Sequence, residues 1–446
     1  MNALRKFFAE ISQYPSAVVG LILILGLVAF SIYTVVTLPY EEAISLWRGD
    51  ENVWYKTPKT AQPKWINWFR QDDVPETFWL NTAEGQGTKT EEFSNGTNKI
   101  FISLPFEYNS PYFPQEVSIY FTSQFAEKEP FVDVKLITPT GEEIRIDSFA
   151  VGHKHTYRFS QDQKLQRRLK GNRPEQGIFM DLETEQLQAV PGTYELQIEG
   201  VAFEENSTVD AELVVYGEVY GWAGTDHRRR DITIALMWGA PVALAFGLLA
   251  ALGTTVTTMI IAAAGTWYGG WVDEVIQRIT EVNLILPFLS ILIMIGTFYS
   301  RSLSVMLVAV IALSIFGGGI KIFRANFLQI KESPYVEAAR AYGASDTRII
   351  MRYLVPRIIP LLLPQLVILV PTYVFLEASL TIIGLGDPVL PTWGKLIREG
   401  IGNGALLQGQ FYWVLQPAVI LLITGLSFAM VGFSMDRIIN PKLRSV

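Results

Sequence analysis

Cysteine does not occur among the 446 residues, which excludes disulfide staples, thiolate nucleophiles and thiolate metal sites. Histidine occurs three times, at His153, His155 and His227. The first two would share one strand face, but a metal centre needs more ligands than that pair. A phosphate-cradling Gly-x-x-x-x-Gly-Lys-Ser/Thr loop is missing: its nearest approach, Gly394-Lys395, runs on into Leu396. Charge is sparse at 18% of residues, against 50% hydrophobic. These absences leave little room for an enzyme and turn attention to how the apolar residues are arranged.

They come in blocks. Residues 16 to 38 form a run long enough to cross a hydrocarbon layer of about 30 Å, preceded by Arg5 and Lys6 and without a small-x-small cleavage site, so the run reads as a retained anchor. Further blocks near 235 to 267, 280 to 300, 303 to 326, 357 to 385 and 412 to 436 bring the expected number of spans to about six. An even number puts both termini on one side. Short cytoplasmic loops accumulate Lys and Arg. The loop with Lys321, Arg324, Lys331, Arg340, Arg348, Arg352 and Arg357, and the tail with Arg437, Lys442 and Arg444, therefore predict cytoplasmic termini.

By the same logic residues 41 to 222 lie outside. They carry 30 acidic and 17 basic side chains, so the overall net charge of −7 conceals an acidic segment and a basic membrane body. Alternation of Val117, Ile119 and Phe121, of Val132, Val134 and Leu136, and of Tyr194, Leu196 and Ile198 predicts half-buried strands. Turn signals at Pro139-Thr140-Gly141 and Pro191-Gly192 separate them. A segment of this length can bury its own core, and a β-sandwich is the expected form. Gln161 to Gln176 reads as a long loop or short helix. Asn95-Gly96-Thr97 and Asn206-Ser207-Thr208 fit glycosylation acceptors but read better as plain turns. Trp47, Trp54, Tyr55, Trp65, Trp68 and Trp79 follow the first span closely, as headgroup anchors, core residues or a ligand-stacking surface.

Between residues 334 and 360 the chain reads PYVEAARAYGASDTRIIMRYLVPRIIP. Ser333 before Pro334 is a helix start, Gly343 a stop, and Ser345 and Asp346 can cap a second helix. The first helix would run about 10 residues, roughly 15 Å, with Ala339 and Gly343 on one face offering a close approach to a partner. Glu337-Ala338-Ala339, three residues, Gly343, then nine residues and a run ending Leu354-Val355-Pro356 resembles the EAA loop of binding-protein-dependent ABC importer permeases. In that family the loop is a coupling helix docked into a cleft of a cytoplasmic ATPase. The resemblance implies that role for Pro334, Tyr335, Glu337, Ala338, Ala339, Ala341, Gly343, Ala344, Ser345 and Pro356.

Two further motifs follow the same family. Gly224-Thr225-Asp226-His227-Arg228-Arg229-Arg230-Asp231 resembles the Gly-Thr-Asp-x-x-Gly-Arg-Asp of C-type permeases of peptide and nickel importers, with Arg229 standing where that motif has glycine. Thr225 or Asp226 could cap the helix that follows, and Arg230 could pair with a neighbouring carboxylate while its neighbours stay solvated. Glu377-Ala378-Ser379, then Gly384-Leu385-Gly386 and Pro391-Thr392-Trp393-Gly394, resembles the end of the fifth span in those permeases. Glu377 is the lone carboxylate of its apolar run, and such a residue is either on a transport path or packed against a neighbouring helix.

The resemblance covers residues 222 to 440 and implies a membrane all-α, MetI-like permease core of about six transmembrane helices, with an inserted extracytoplasmic all-β, sandwich-like domain. The expected division is 1–40, the N-terminus and first span; 41–222, the β-rich domain; and 223–446, the permease core with its coupling loop at 331–357. The implied function is half of the pore of an ATP-driven peptide importer in a bacterial or archaeal inner membrane. The implied partners are a homologous B-type permease, two ABC ATPases that bind ATP and Mg, an extracytoplasmic solute-binding protein and membrane lipid, with no nucleic acid and no cofactor in this chain. Import of oligosaccharides or nickel chelates, a sensing module on a permease-like body, and export remain alternatives.

Overall fold

The computed structural model describes residues 13–50, 52–94, 96–181 and 187–439. Arg5, Lys6, Asn95, Lys442 and Arg444, and the side chain of Arg437, lie outside the described residues. The chain divides into two compact units, Met1–Arg48 with Ile234–Val446, and Gly49–Thr233. The units therefore meet at 48/49 and 233/234, whereas charge and composition put the boundaries at 41 and 222. Ala43 and Trp47 are buried in the short helix Tyr40–Arg48, and the turn carrying Thr225 bonds back to Ala61 and Pro58. Packing and hydrogen bonding move each boundary by several residues.

The second unit is all-β in its regular structure apart from short helical turns. Its strands are β1 (Phe78–Asn81), β2 (Thr88–Ser94), β3 (Thr97–Tyr108), β4 (Glu116–Gln124), β5 (Phe131–Ile137), β6 (Glu143–Ala150), β7 (Lys154–Arg158), β8 (Gly192–Ala202) and β9 (Thr208–Tyr216). Antiparallel pairing builds one sheet in the order β1-β9-β4-β7 and another in the order β2-β3-β8-β5-β6. The expected period of two holds in β3 and β5, where every second residue is buried. Inward residues of both sheets, among them Ile119, Phe121, Leu213, Ile102, Val134 and Leu196, form one apolar core, which makes the pair of sheets a sandwich. Gly192 opens β8 at φ 148°, and a Cβ there would lie 2.6 Å from Pro139, so the Pro191-Gly192 signal reflects a close approach to the β5–β6 hairpin. The polar stretch after Gln161 forms two short helices, Gln163–Arg168 and Pro174–Gly177. Burial pushes the Tyr108, Tyr157 and Tyr194 hydroxyls far above the usual phenol range.

The first unit is helical. Among the described residues, four helices are long and apolar enough to cross a membrane: Pro15–Thr37, Ile232–Tyr268, Leu362–Leu385 and Phe411–Met435. Two bent pairs, Gly270–Ile285 with Phe288–Phe298 (79°) and Leu303–Ile315 with Gly318–Lys331 (48°), bring the number to six if each pair is one span. Single spans near 280 to 300 and 303 to 326 are the sequence expectation; the structure breaks both. Pro287 interrupts the first pair and Gly317 to Gly319 the second, where proline lacks an N–H and successive glycines weaken helical continuity. Small residues seat the helices on one another. A Cβ on Gly20 would lie 2.7 Å from the Ser427 carbonyl, and one on Gly247 would lie 2.8 Å from that of Val370.

Candidate functional site

The elbow begins at helix Pro334–Ala341. Ser333 takes the extended N-cap conformation, but its side chain makes no capping bond; its carbonyl accepts from Val336 N–H at 2.9 Å instead. Gly343, at φ 78°, closes the helix: its N–H donates to Arg340 O and Ala344 N–H to Ala339 O, both at 3.0 Å. This is the paired C-terminal motif that a left-handed residue permits. Ser345 likewise forms no side-chain cap on the following helix Asp346–Ile349. That helix continues as a π-turn at Ile350–Leu354 into Val355–Leu380. Pro356 stands at the junction, where its missing N–H removes one helical bond and favours the wider turn.

The faces of the elbow helix differ from the sequence expectation. Ala339 is 7% exposed and turns inward with Val336, so it is not part of the surface offered to a partner. Glu337, Ala338, Ala341, Tyr342 and Gly343 are exposed, Tyr342 at 92%. Val336 joins Ile349, Leu354, Ile358, Phe323, Phe327 and Trp267 in one apolar cluster, with Tyr335 and Ala344 packed against it. Val336 alone contributes about 1.5–3 kcal/mol on burial. The elbow thus stands on the ends of three long helices.

Trp267 carries little signal in the sequence beyond ending a span, yet it organises this region. The Arg340 guanidinium lies 4.7 Å from its ring and the Lys331 ammonium 5.8 Å. Lys331 Nζ also donates to Thr266 O at 2.8 Å and Trp267 O at 3.1 Å, capping the carbonyl end of Ile232–Tyr268. Arg357 lies over Tyr335 at 5.5 Å. Arg324 grips Asp273 with bonds of 2.6 to 3.0 Å. Cations read from the sequence as markers of sidedness are thus also struts.

The Gly224 to Asp231 segment forms a closed turn. Thr225 Oγ1 donates to Pro58 O and accepts from Ala61 N–H, and Asp226 binds the backbone N–H groups of Arg228 and Arg230 and the Arg230 guanidinium at 2.6 Å. Neither caps the next helix. Asp231 does, accepting from Thr233 N–H at 2.8 Å, and burial pushes its carboxyl up. Arg230 and Asp226 are buried as a pair. Arg228 is exposed, whereas Arg229 is 5% exposed. Solvation of Arg229 is therefore corrected: its guanidinium donates to Thr57 O at 2.8 Å and Glu116 Oε2 at 2.6 Å and lies 4.5 Å from the Tyr216 ring. Its φ of 67° is the left-handed conformation that favours glycine.

At the third motif Glu377 is 4% exposed, accepts from Thr381 Oγ1 at 3.0 Å and has Thr392 as a second hydrogen-bonding neighbour. Ser379 bonds Phe375 O within its own helix. Gly384 breaks the helical run at φ 103°. The short helix Trp393–Gly402, which apolar patterning misses, packs so closely that a Cβ on Gly394 would lie 2.8 Å from Ala378 O; before it, a Cβ on Gly386 would lie 2.4 Å from Thr381. Trp393 is buried, donates to Leu236 O at 2.9 Å and lies flat against Gly239. A hollow beside Glu377 is lined also by Arg301, Met306, Leu385 and Asp387.

No group of three or more His, Asp or Glu arranged to hold a metal occurs among the described residues. His153 stacks on Phe125 at 4.2 Å and His155 lies near Phe149 at 4.8 Å. In the β-unit, a hollow of about 570 Å³ opens over the four-stranded sheet, lined by Tyr55, Tyr120, Lys154, His155, Asp210 and Glu212.

Comparison with known proteins agrees with the helical unit. The sequence profile described as "Binding-protein-dependent transport system inner membrane component" matches residues 255–445. The dipeptide transport system permease protein DppC of Bacillus subtilis is 31% identical over 226 residues, 50% of this chain and 69% of that protein. The oligopeptide transport system permease protein OppC of the same organism is 30% identical over 226 residues, 50% of this chain and 72% of that protein. A glutathione transport system permease protein, GsiD of Pectobacterium atrosepticum, is 28% identical over 226 residues, 50% and 73% of the two chains. With apolar helices of spanning length, the EAA pattern on an exposed elbow and these relatives, the chain belongs to the family of binding-protein-dependent transport system inner membrane components, the permease subunits of ABC importers.

Proposed function

We propose that this chain forms half of the translocation pore of a peptide importer, paired with a homologous permease of the B type. Two cytoplasmic ATPases, which bind ATP and Mg, dock at residues 331 to 346, and an external solute-binding protein delivers the peptide. The observation that carries this reading is the elbow: a short helix with Glu337, Ala338, Ala341 and Tyr342 outward, seated through Val336, with Tyr335 and Ala344 packed alongside, on an apolar cluster shared by the long helices. A push on its outer face reaches those helices without a soft joint between. ATPase closure then opens the pore outward to accept peptide, and hydrolysis resets it inward. Di- and oligopeptides are the proposed cargo because the relatives at hand are dipeptide, oligopeptide and glutathione permeases.

Both termini lie in the cytosol in this reading and residues 41–222 outside, where the β-unit receives the binding protein or the sister permease. Gly343→Asp tests the coupling step. An aspartate at φ 78° strains the turn and places a carboxylate on the docking face, and Glu337→Lys reverses a charge there. In proteoliposomes containing the whole complex, either variant is expected to abolish ATP-driven uptake, at least tenfold, while peptide capture by the binding protein is unchanged. Normal uptake by both would remove the coupling role.

A further inference from the structure

The aromatic residues that follow the first span do not share one fate. Trp47 is buried, while Trp68 and Phe69 are 73% and 81% exposed at the end of a tight turn, Lys64–Phe69. Trp222, far away in sequence, is 71% exposed and meets Trp68 edge-on at 6.2 Å between ring centroids. Trp65 meets Phe69 at 6.4 Å and donates its indole N–H to Trp222 O at 2.9 Å. Lys64 N–H donates to Gly221 O at 2.9 Å, so the two chain segments are pinned and the four rings form one outward patch. Large aromatic side chains bury 150–250 Å² each when covered, and leaving Trp68, Phe69 and Trp222 in water forgoes that gain.

The patch is tied to residues that directly precede a span in the chain. A Cβ on Gly221 would lie 3.4 Å from Asp231 Oδ2, so the residue before Trp222 touches the residue that caps the spanning helix Ile232–Tyr268. Asp231 and Ile232 follow one another in the chain, so the patch packs against the residue that leads into that span. Arg70, directly after Phe69 in the chain, is exposed, a cation of the sign that lipid phosphates attract. Tryptophan in particular favours the boundary where one edge of the ring is apolar and the other meets water.

We infer that Trp65, Trp68, Phe69 and Trp222 form an interfacial anchor that rests in the lipid headgroup layer of the leaflet on the side of residues 49–233. The inference rests on membrane insertion of Ile232–Tyr268 and is independent of cargo and direction of transport. Because the chain has no cysteine, single labels are simple to place. Gln71→Cys keeps all four rings, and Thr140→Cys on the β5–β6 hairpin serves as the solvent reference; both positions are exposed. The full chain, labelled with an environment-sensitive fluorophore, is placed in nanodiscs of phosphatidylethanolamine and phosphatidylglycerol with or without nitroxide-headgroup lipid. Quenching by the lipid nitroxide is expected to be at least threefold stronger at position 71 than at 140, and quenching by aqueous iodide weaker. Adding Trp68→Ala and Trp222→Ala to the Gln71→Cys chain should bring both values toward those of position 140. Equal iodide quenching at 71 and 140 in the chain with all rings intact would overturn the anchor, as would protection of position 71 from both quenchers, which would mean that protein covers the patch.

Discussion

Arg229 shows how a residue that departs from a motif can keep its shape. The backbone stays in the left-handed region, at φ 67°, at a cost of about 1–2 kcal/mol for a residue with a Cβ. Two charge-assisted bonds, to Thr57 O and Glu116, and the Tyr216 ring offset that cost. Arg229→Gly relieves the backbone but leaves Glu116 without its cation, so thermal unfolding of the full chain should show a net loss of about 1–3 kcal/mol. Arg229→Ala retains the strain and should be worse by about 1 kcal/mol. A glycine variant as stable as the parent would show that the guanidinium contributes nothing.

Glu377 is a second residue whose surroundings decide its reading, since it is buried and accepts from Thr381 beside the close-packed helix Trp393–Gly402. The account assigns it to pinning the short helix Trp393–Gly402 and not to a transport path. Glu377→Gln should keep uptake within about twofold, whereas Glu377→Leu, which strands two hydroxyls, should cost about 1–3 kcal/mol of stability. Abolished uptake by a normally folded Gln variant would return Glu377 to the path.

At the scale of elements, the apolar blocks gave good positions for the four unbroken spans because twenty or more apolar residues have few other uses. The two bends were less legible. Pro287 and the run Gly317-Gly318-Gly319 are visible in the sequence, but whether proline and glycine bend a helix or break it depends on what packs around the joint. Inward and outward faces of the elbow could not be read either, since Ala339 and Ala338 are alike in composition and differ only in where the helix is seated. The helix Trp393–Gly402 escaped notice because it is amphipathic and short, and its fit depends on glycines placed against backbone. Gly239 makes that fit testable: a Cβ would lie 2.1 Å from the Trp393 indole, so Gly239→Val should displace the ring and lower the midpoint of unfolding by an amount matching an overpacked core, about 1–3 kcal/mol. An unchanged midpoint would show that the helix is not held there.

At the scale of the whole molecule, two sequence grammars correspond to two units, period-two alternation in Gly49–Thr233 and long apolar blocks in the remainder. The alternating stretches revealed the sandwich, but their order in the sheets, with β9 between β1 and β4 and β8 between β3 and β5, comes from long-range pairing that no local signal encodes. The aromatic patch was half legible: Trp65 and Trp68 drew attention, while Trp222 joins them only through the fold. If the β-unit receives the binding protein or the sister permease, replacing residues 45 to 218 by a short Gly/Ser linker should abolish uptake while the spans still insert. Uptake and assembly at parental levels would dismiss that role.

The central claim, that this chain is one permease of an ATP-driven importer, is tested most directly by purifying it, tagged and in mild detergent, from its own host and identifying its companions by mass spectrometry. The account predicts two ATPase subunits and a second, homologous permease in stoichiometric amounts. Recovery of the chain alone, under conditions that keep a related transporter intact, would contradict it.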